Sequence, residues 1–108
     1  MAALLRGGSL LRNAGQGGIF VSNGSQLTIS DTPIDGSVTQ GLFAFGAGSR
    51  VTMTGGSIVN TRRDGANQNG FGVNAQQGAV ITCTGVALGG NAGGNAFTTT
   101  GGTASGCN

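Results

Sequence analysis

The sequence predicts an all-β chain whose short strands stack in parallel as successive coils of a solenoid, about four coils in one domain over residues 1–108. Three observations carry that prediction. The line "GSQLTIS" at 24–30 returns as "GSRVTMT" at 48–54 and again, loosely, as "GAVITCT" at 78–84, and a recurrence in the range of about 20–50 residues marks stacked repeats. Within each line the apolar residues alternate, as in Leu27-Thr28-Ile29-Ser30 and Val51-Thr52-Met53-Thr54, which describes short strands with one buried side. Helix is a poor alternative given the 24 glycines, each of which costs about 0.8–1 kcal/mol relative to alanine inside one.

Composition alone leaves disorder open. Leu, Ile, Val and Phe number 24 of 108 residues, about 22% and only just above the roughly 20% at which chains fail to fold. Their placement in columns decides for a folded chain. Taken in order, the N-terminal stretch "LRGGSLLRN" at 5–13 lies over "MTGGSIVNT" at 53–61 with an offset of 48, so the first coil holds Ala3, Leu5 and Leu10. The next coils supply Leu27, Ile29 and Ile34, then Val51, Met53 and Ile58, then Ile81, Cys83 and Leu88, with Ser105 and Cys107 ending the first two columns. The steps down the first column are 24, 24, 30 and 24. That makes four whole turns, with both ends of the column on one side.

A further column reads Ile19, Leu42, Phe71 and Asn95, followed two residues later by Val21, Ala44, Val73 and Phe97. Between strands lie "SNGSQ", "GAGSR", "NAQQG" and "GGNAGGN", turn chemistry rich in residues that tolerate positive φ. The segment "TRRDGANQN" at 61–69 is the six-residue excess that lengthens one step to 30.

The stretches "GGIFVSNGSQLTISDTPIDG" (17–36), "GLFAFGAGSRVTMTGGSIVN" (41–60) and "GFGVNAQQGAVITCTGVALGG" (70–90) resemble the right-handed parallel β-helix of the pectin-lyase-like superfamily, most closely the passenger repeats of autotransporter adhesins. The resemblance covers nearly the whole chain. It implies the fold, and it is compatible with lyases, adhesins and inert stalks alike. Enzymes of that superfamily use clustered Asp residues that hold calcium and a basic residue that takes a proton. Here Asp31, Asp35 and Asp64 are the only acidic residues, and the first two sit at a turn with Arg50 as the near basic group. With no Lys and no His, nucleophilic and metal catalysis lack their usual groups. The expectation is a non-catalytic protein with no cofactor and no metal.

Arg6, Arg12, Arg50, Arg62 and Arg63 give a net charge of +2, too thin for a phosphate-binding stripe, so nucleic acid is not an expected partner. No run of 18 apolar residues spans a membrane. The opening "MAALLRGGSLLR" has a four-residue apolar stretch, where a secretory signal needs about 7–15.

Three sets of residues are candidates for function. Outward Thr28, Thr52 and Thr82, with Ser30, Thr54 and Thr84 beside them, form Thr-x-Thr ranks. These resemble the ice-binding faces of insect and microbial antifreeze proteins, and equally suit the exposed side of any strand. Arg62, Arg63 and Asp64 sit in the longest loop, where insertions gather on binding faces or simply keep a surface loop solvated. Cys83 and Cys107 stand one coil apart in an inward column. Stacked positions lie about 4.8 Å apart, inside the roughly 4.4–6.8 Å Cα window for a disulfide, although two buried thiols would fit the same column. A bridge implies an oxidising setting.

The function expected is an extracellular or cell-surface structural or adhesive module that stacks on itself head to tail, or that contacts carbohydrate or a host surface protein. Ice binding and a remnant of a polysaccharide-lyase-like or glycan-binding protein are the alternatives.

Overall fold

The computed structural model describes residues 2–5, 11–12 and 18–107. Thirteen strands appear in it and, among the described residues, no helix. They are β1 (Ala2–Leu5), β2 (Leu11–Arg12), β3 (Ile19–Ser22), β4 (Gln26–Ser30), β5 (Pro33–Asp35), β6 (Gln40–Phe45), β7 (Arg50–Thr54), β8 (Ser57–Val59), β9 (Phe71–Gln76), β10 (Val80–Thr84), β11 (Ala87–Gly89), β12 (Gly94–Thr99) and β13 (Thr103–Ser105). The chain visits three sheets in rotation. Sheet A has the order β1-β4-β7-β10-β13, sheet B β2-β5-β8-β11 and sheet C β3-β6-β9-β12. Each strand pairs only with the corresponding strand of the pass before or after it, and every pairing is parallel.

Alternation explains the core. In β7 the burial runs exposed, buried, exposed, buried, exposed along Arg50–Thr54, so Val51 and Met53 point inward. Stacking puts like on like: Leu27, Val51, Ile81 and Ala104 in one inward rank, Ile29, Met53 and Cys83 in the next, Ile34, Ile58 and Leu88 in sheet B. Ile29, Val51, Met53, Ile58 and Ile81 are completely buried, each stabilising the fold by about 1.5–3 kcal/mol. No strand here could bury its apolar side alone.

The turns between sheets need positive φ, and they have it. Asp31, Gly55 and Gly85 take φ of 48°, 68° and 62° at equivalent corners between sheets A and B. At the corner between sheets C and A, Ser49 is buried. There the Gly24 N–H donates to its Oγ at 3.0 Å, and the hydroxyl donates to the Phe45 carbonyl at 2.8 Å. One side chain thus ties two passes together.

The register departs from a constant step of 24. Sheet C repeats at 23 residues from Ile19 to Leu42 and at 31 from Leu42 to Val73. The long connector therefore carries an excess larger than six residues. As a result Val73 and Ala96, not Phe71 and Asn95, continue the column of Ile19 and Leu42. Ala75 and Thr98, not Val73 and Phe97, continue that of Val21 and Ala44.

A local break in alternation contributes. Gly41 and Leu42 are both buried, as are Gly72 and Val73, so two successive positions face inward as the chain enters β6 and β9. At the end of sheet A, Ala104 lies opposite Ile81 while Ser105 lies opposite Thr82 and faces outward, because the last repeat is 23 residues long. In sheet B it is Leu11 that pairs with Ile34; Leu10 lies outside the described residues.

Candidate functional site

The outward face of sheet A is a grid of small hydroxylated side chains. Thr28, Thr52, Thr82 and Ser105 occupy one rank in register, and Ser30, Thr54 and Thr84 the next. Strand spacing sets about 4.8 Å down each rank, and two residues along a strand set about 6.7 Å between ranks. Thr28, Thr52, Thr54 and Thr84 are exposed, with Ser30 and Thr82 partly so. Among the described residues these hydroxyls make no hydrogen bond to protein. Gln26, Arg50, Val80 and Thr103 form a third rank, with the single charge of Arg50 at its middle.

The long connector is held by hydrogen bonds to the passes on either side of it. Arg62 donates from Nε and Nη2 to the Gly36 carbonyl at 3.1 and 2.9 Å, reaching the preceding pass. Arg63 donates from Nη2 to the Ala92 carbonyl at 2.9 Å, reaching the following one. Asp64 organises the loop between them. Its Oδ1 accepts the N–H groups of Ala66 and Gln68, and its Oδ2 accepts the Asn69 amide, each at 3.0 Å. The Gln68 N–H, the largest influence, holds the Asp64 carboxyl below its ordinary pKa, aided by Asn69 and Ala66 and opposed by desolvation. All three side chains are thus engaged within the fold.

A disulfide joins Cys83 to Cys107, with Cα atoms 5.1 Å apart. The register of β13 would place Gly106, not Cys107, beside Cys83. Gly106 resolves this by turning with φ of 73°, which swings Cys107 into the core, where it is completely buried. A Cβ at position 106 would run into the Cys83 carbonyl.

Sequence reasoning missed the outward face of sheet C. Phe20, Phe43, Asn74 and Phe97 stand in one rank, with Phe45 on the same side of β6. Phe20 and Phe43 lie 5.0 Å apart between ring centroids, and Phe71 stacks on Phe97 at 4.5 Å with an interplanar angle of 7°. Phe71 and Phe97 were expected inside. The available signal was compositional: the five Phe are the only aromatic residues, and three of them follow a glycine closely, in "GIF", "GLF" and "GF". A cavity of about 300 Å³ is lined by residues of β3, the turn after it and the start of β4.

Among the described residues no three His, Cys, Asp or Glu side chains come together. No protein-family model matches the chain, and no curated protein or solved structure matches it.

Proposed function

We propose that the chain is a right-handed parallel β-helix that serves as a non-catalytic structural or adhesive module at or outside the cell surface and stacks head to tail. The observation that carries this reading is the uninterrupted parallel register of sheet A across five strands. Among the described residues β1 and β13 each pair on one side only, and such edges template further strands. Head-to-tail contact does not close, so it gives filaments. The Cys83–Cys107 bridge supports an oxidising, extracellular setting. Electron microscopy of concentrated protein is expected to show filaments with an axial repeat of ~24 Å per copy, from the five strand spacings that sheet A occupies. A field of single particles with no end-to-end contacts would contradict the reading.

Ice binding is the second reading, favoured by the two in-register hydroxyl ranks of sheet A with no protein partners. Replacing Thr52, at the centre of the grid, by Tyr is then expected to abolish inhibition of ice recrystallisation. Equal activity in the two proteins, or none in the parent, would remove this reading.

A further inference from the structure

We propose that the outward face of sheet C is a self-association surface, on which a second copy of this chain docks face to face. Every phenylalanine in the sequence lies on it: Phe20, Phe43, Phe45, Phe71 and Phe97. Phe20 is 62% exposed, Phe45 39% and Phe97 36%. An apolar patch of a few hundred Å² matches the largest patch of a typical monomer, about 300–600 Å², and such a patch is often functional. Nothing in the core needs these rings, because Leu42, Ala44, Val73 and Ala75 already fill the inner side of the same strands.

The charge pattern favours a copy of the same chain. β3, β6, β9 and β12 contain no charged residue, so two copies carrying net positive charge meet here without like-charge repulsion. Asn74, 2% exposed within the aromatic rank, already accepts a hydrogen bond from the Gln76 amide at 3.1 Å. Covering the face therefore takes no water from that oxygen.

Ring orientation argues against a sugar as the occupant. The Phe71 and Phe97 rings lie 7° from parallel, so each covers one face of the other and closes that face to a stacking sugar. Projecting side chains on one sheet interdigitate with those of another in face-to-face sheet packing at about 10 Å.

Area sets the strength. Strands of up to six residues in a four-stranded sheet make a face of roughly 20 by 20 Å, about 400 Å² per copy. That is about half the ~800 Å² per partner of a standard stable interface. The pair is therefore weak and concentration-dependent. Being isologous, it closes as a two-fold dimer and is independent of end-to-end stacking.

Sedimentation velocity over a concentration series tests this with the oxidised protein. The parent is expected to pass from monomer to dimer as concentration rises into the high micromolar range. Phe20→Lys, on the terminal strand of sheet C, and the triple variant Phe43→Thr, Phe45→Thr, Phe97→Thr are expected to weaken dimerisation at least tenfold. The far-UV spectrum of Phe20→Lys should stay that of the parent, so the test stands even where the triple variant does not fold. Thr52→Lys, on sheet A, is expected to leave the dimer intact. A parent that stays monomeric throughout, or a dimer that survives Phe20→Lys, overturns the proposal. So does loss of the dimer in Thr52→Lys, or retention of a monomeric parent on a polysaccharide matrix that Phe20→Lys abolishes.

Discussion

Ser49 and Thr61 both sit at corners between sheets, both are buried, and only one of them is satisfied. Ser49 accepts from Gly24 and donates to Phe45, while among the described residues the Thr61 hydroxyl has no partner. Removing a hydroxyl that holds two backbone groups costs about 1–3 kcal/mol, whereas replacing an unsatisfied one by a methyl of the same shape is neutral or better. Ser49→Ala is therefore expected to lower the denaturant midpoint and Thr61→Val to leave it unchanged or raise it. Both effects are read in the same unfolding series. Asp64 adds a pH-dependent term. Its carboxyl is held below the ordinary 3.8 chiefly by the Gln68 N–H, so its contribution to loop order is present above that value and is lost as pH falls through the lowered one. An NMR titration is expected to place its midpoint below 3.8, with the Ala66 and Gln68 amides moving on the same curve. A midpoint at or above 3.8 would mean the loop does not hold the carboxylate in solution.

At the scale of elements, β13 is a short strand at the end of sheet A. It has three residues and pairs on one side only, through Val80, Ile81 and Thr82, and its inward residue is Ala104 where other passes place Leu27, Val51 and Ile81. The bridge at Cys107 compensates by closing a loop of 24 residues, an unfolded-state constraint worth on the order of 3 kcal/mol. Cys107→Ser is expected to lower the melting temperature by roughly 10 °C. It should also speed hydrogen exchange at the Thr103 amide, which donates to the Ala79 carbonyl. Unchanged exchange there would show that β13 holds without the bridge.

Strand stacking in sheets A and B was legible in the sequence because identity repeats where burial repeats. Leu27, Val51 and Ile81, and Ile34, Ile58 and Leu88, are apolar at every pass. The misplacements arose where turn length changes by a residue that no side chain announces. Ser105 was placed inward and faces outward because the last repeat is one residue shorter. Phe71 and Phe97 were placed inward because hydrophobicity does not distinguish an aromatic that packs in a core from one that pairs on a surface. The paired inward positions at Gly72–Val73 put Phe71 outside, a 23-residue step from Asn74 puts Phe97 there, and neither a glycine's burial nor that step can be read from periodicity. Among the candidate residues, the Thr and Ser ranks needed only strand alternation. The engagement of Arg62, Arg63 and Asp64 depends on carbonyls of neighbouring passes, which become neighbours only once the chain is stacked.

For the whole molecule, stacking determines which residues share a face. Sheet A presents hydroxyls, sheet C presents aromatic rings, and the long connector braces three successive passes from outside. The faces of sheets A and C exist only if residues one pass apart, 23, 24 or 30 in sheet A and 23 or 31 in sheet C, are lateral neighbours in parallel strands. The most direct test is a through-space NMR measurement on the oxidised protein, resolving contacts between Thr28 and Thr52 and between Thr52 and Thr82. Parallel stacking predicts contacts at both separations, continued from Leu27 to Val51 and from Val51 to Ile81, with backbone amide-to-Hα contacts between neighbouring strands. Close Hα-to-Hα contacts with pair separations that change along the strand, the signature of antiparallel pairing, would contradict it.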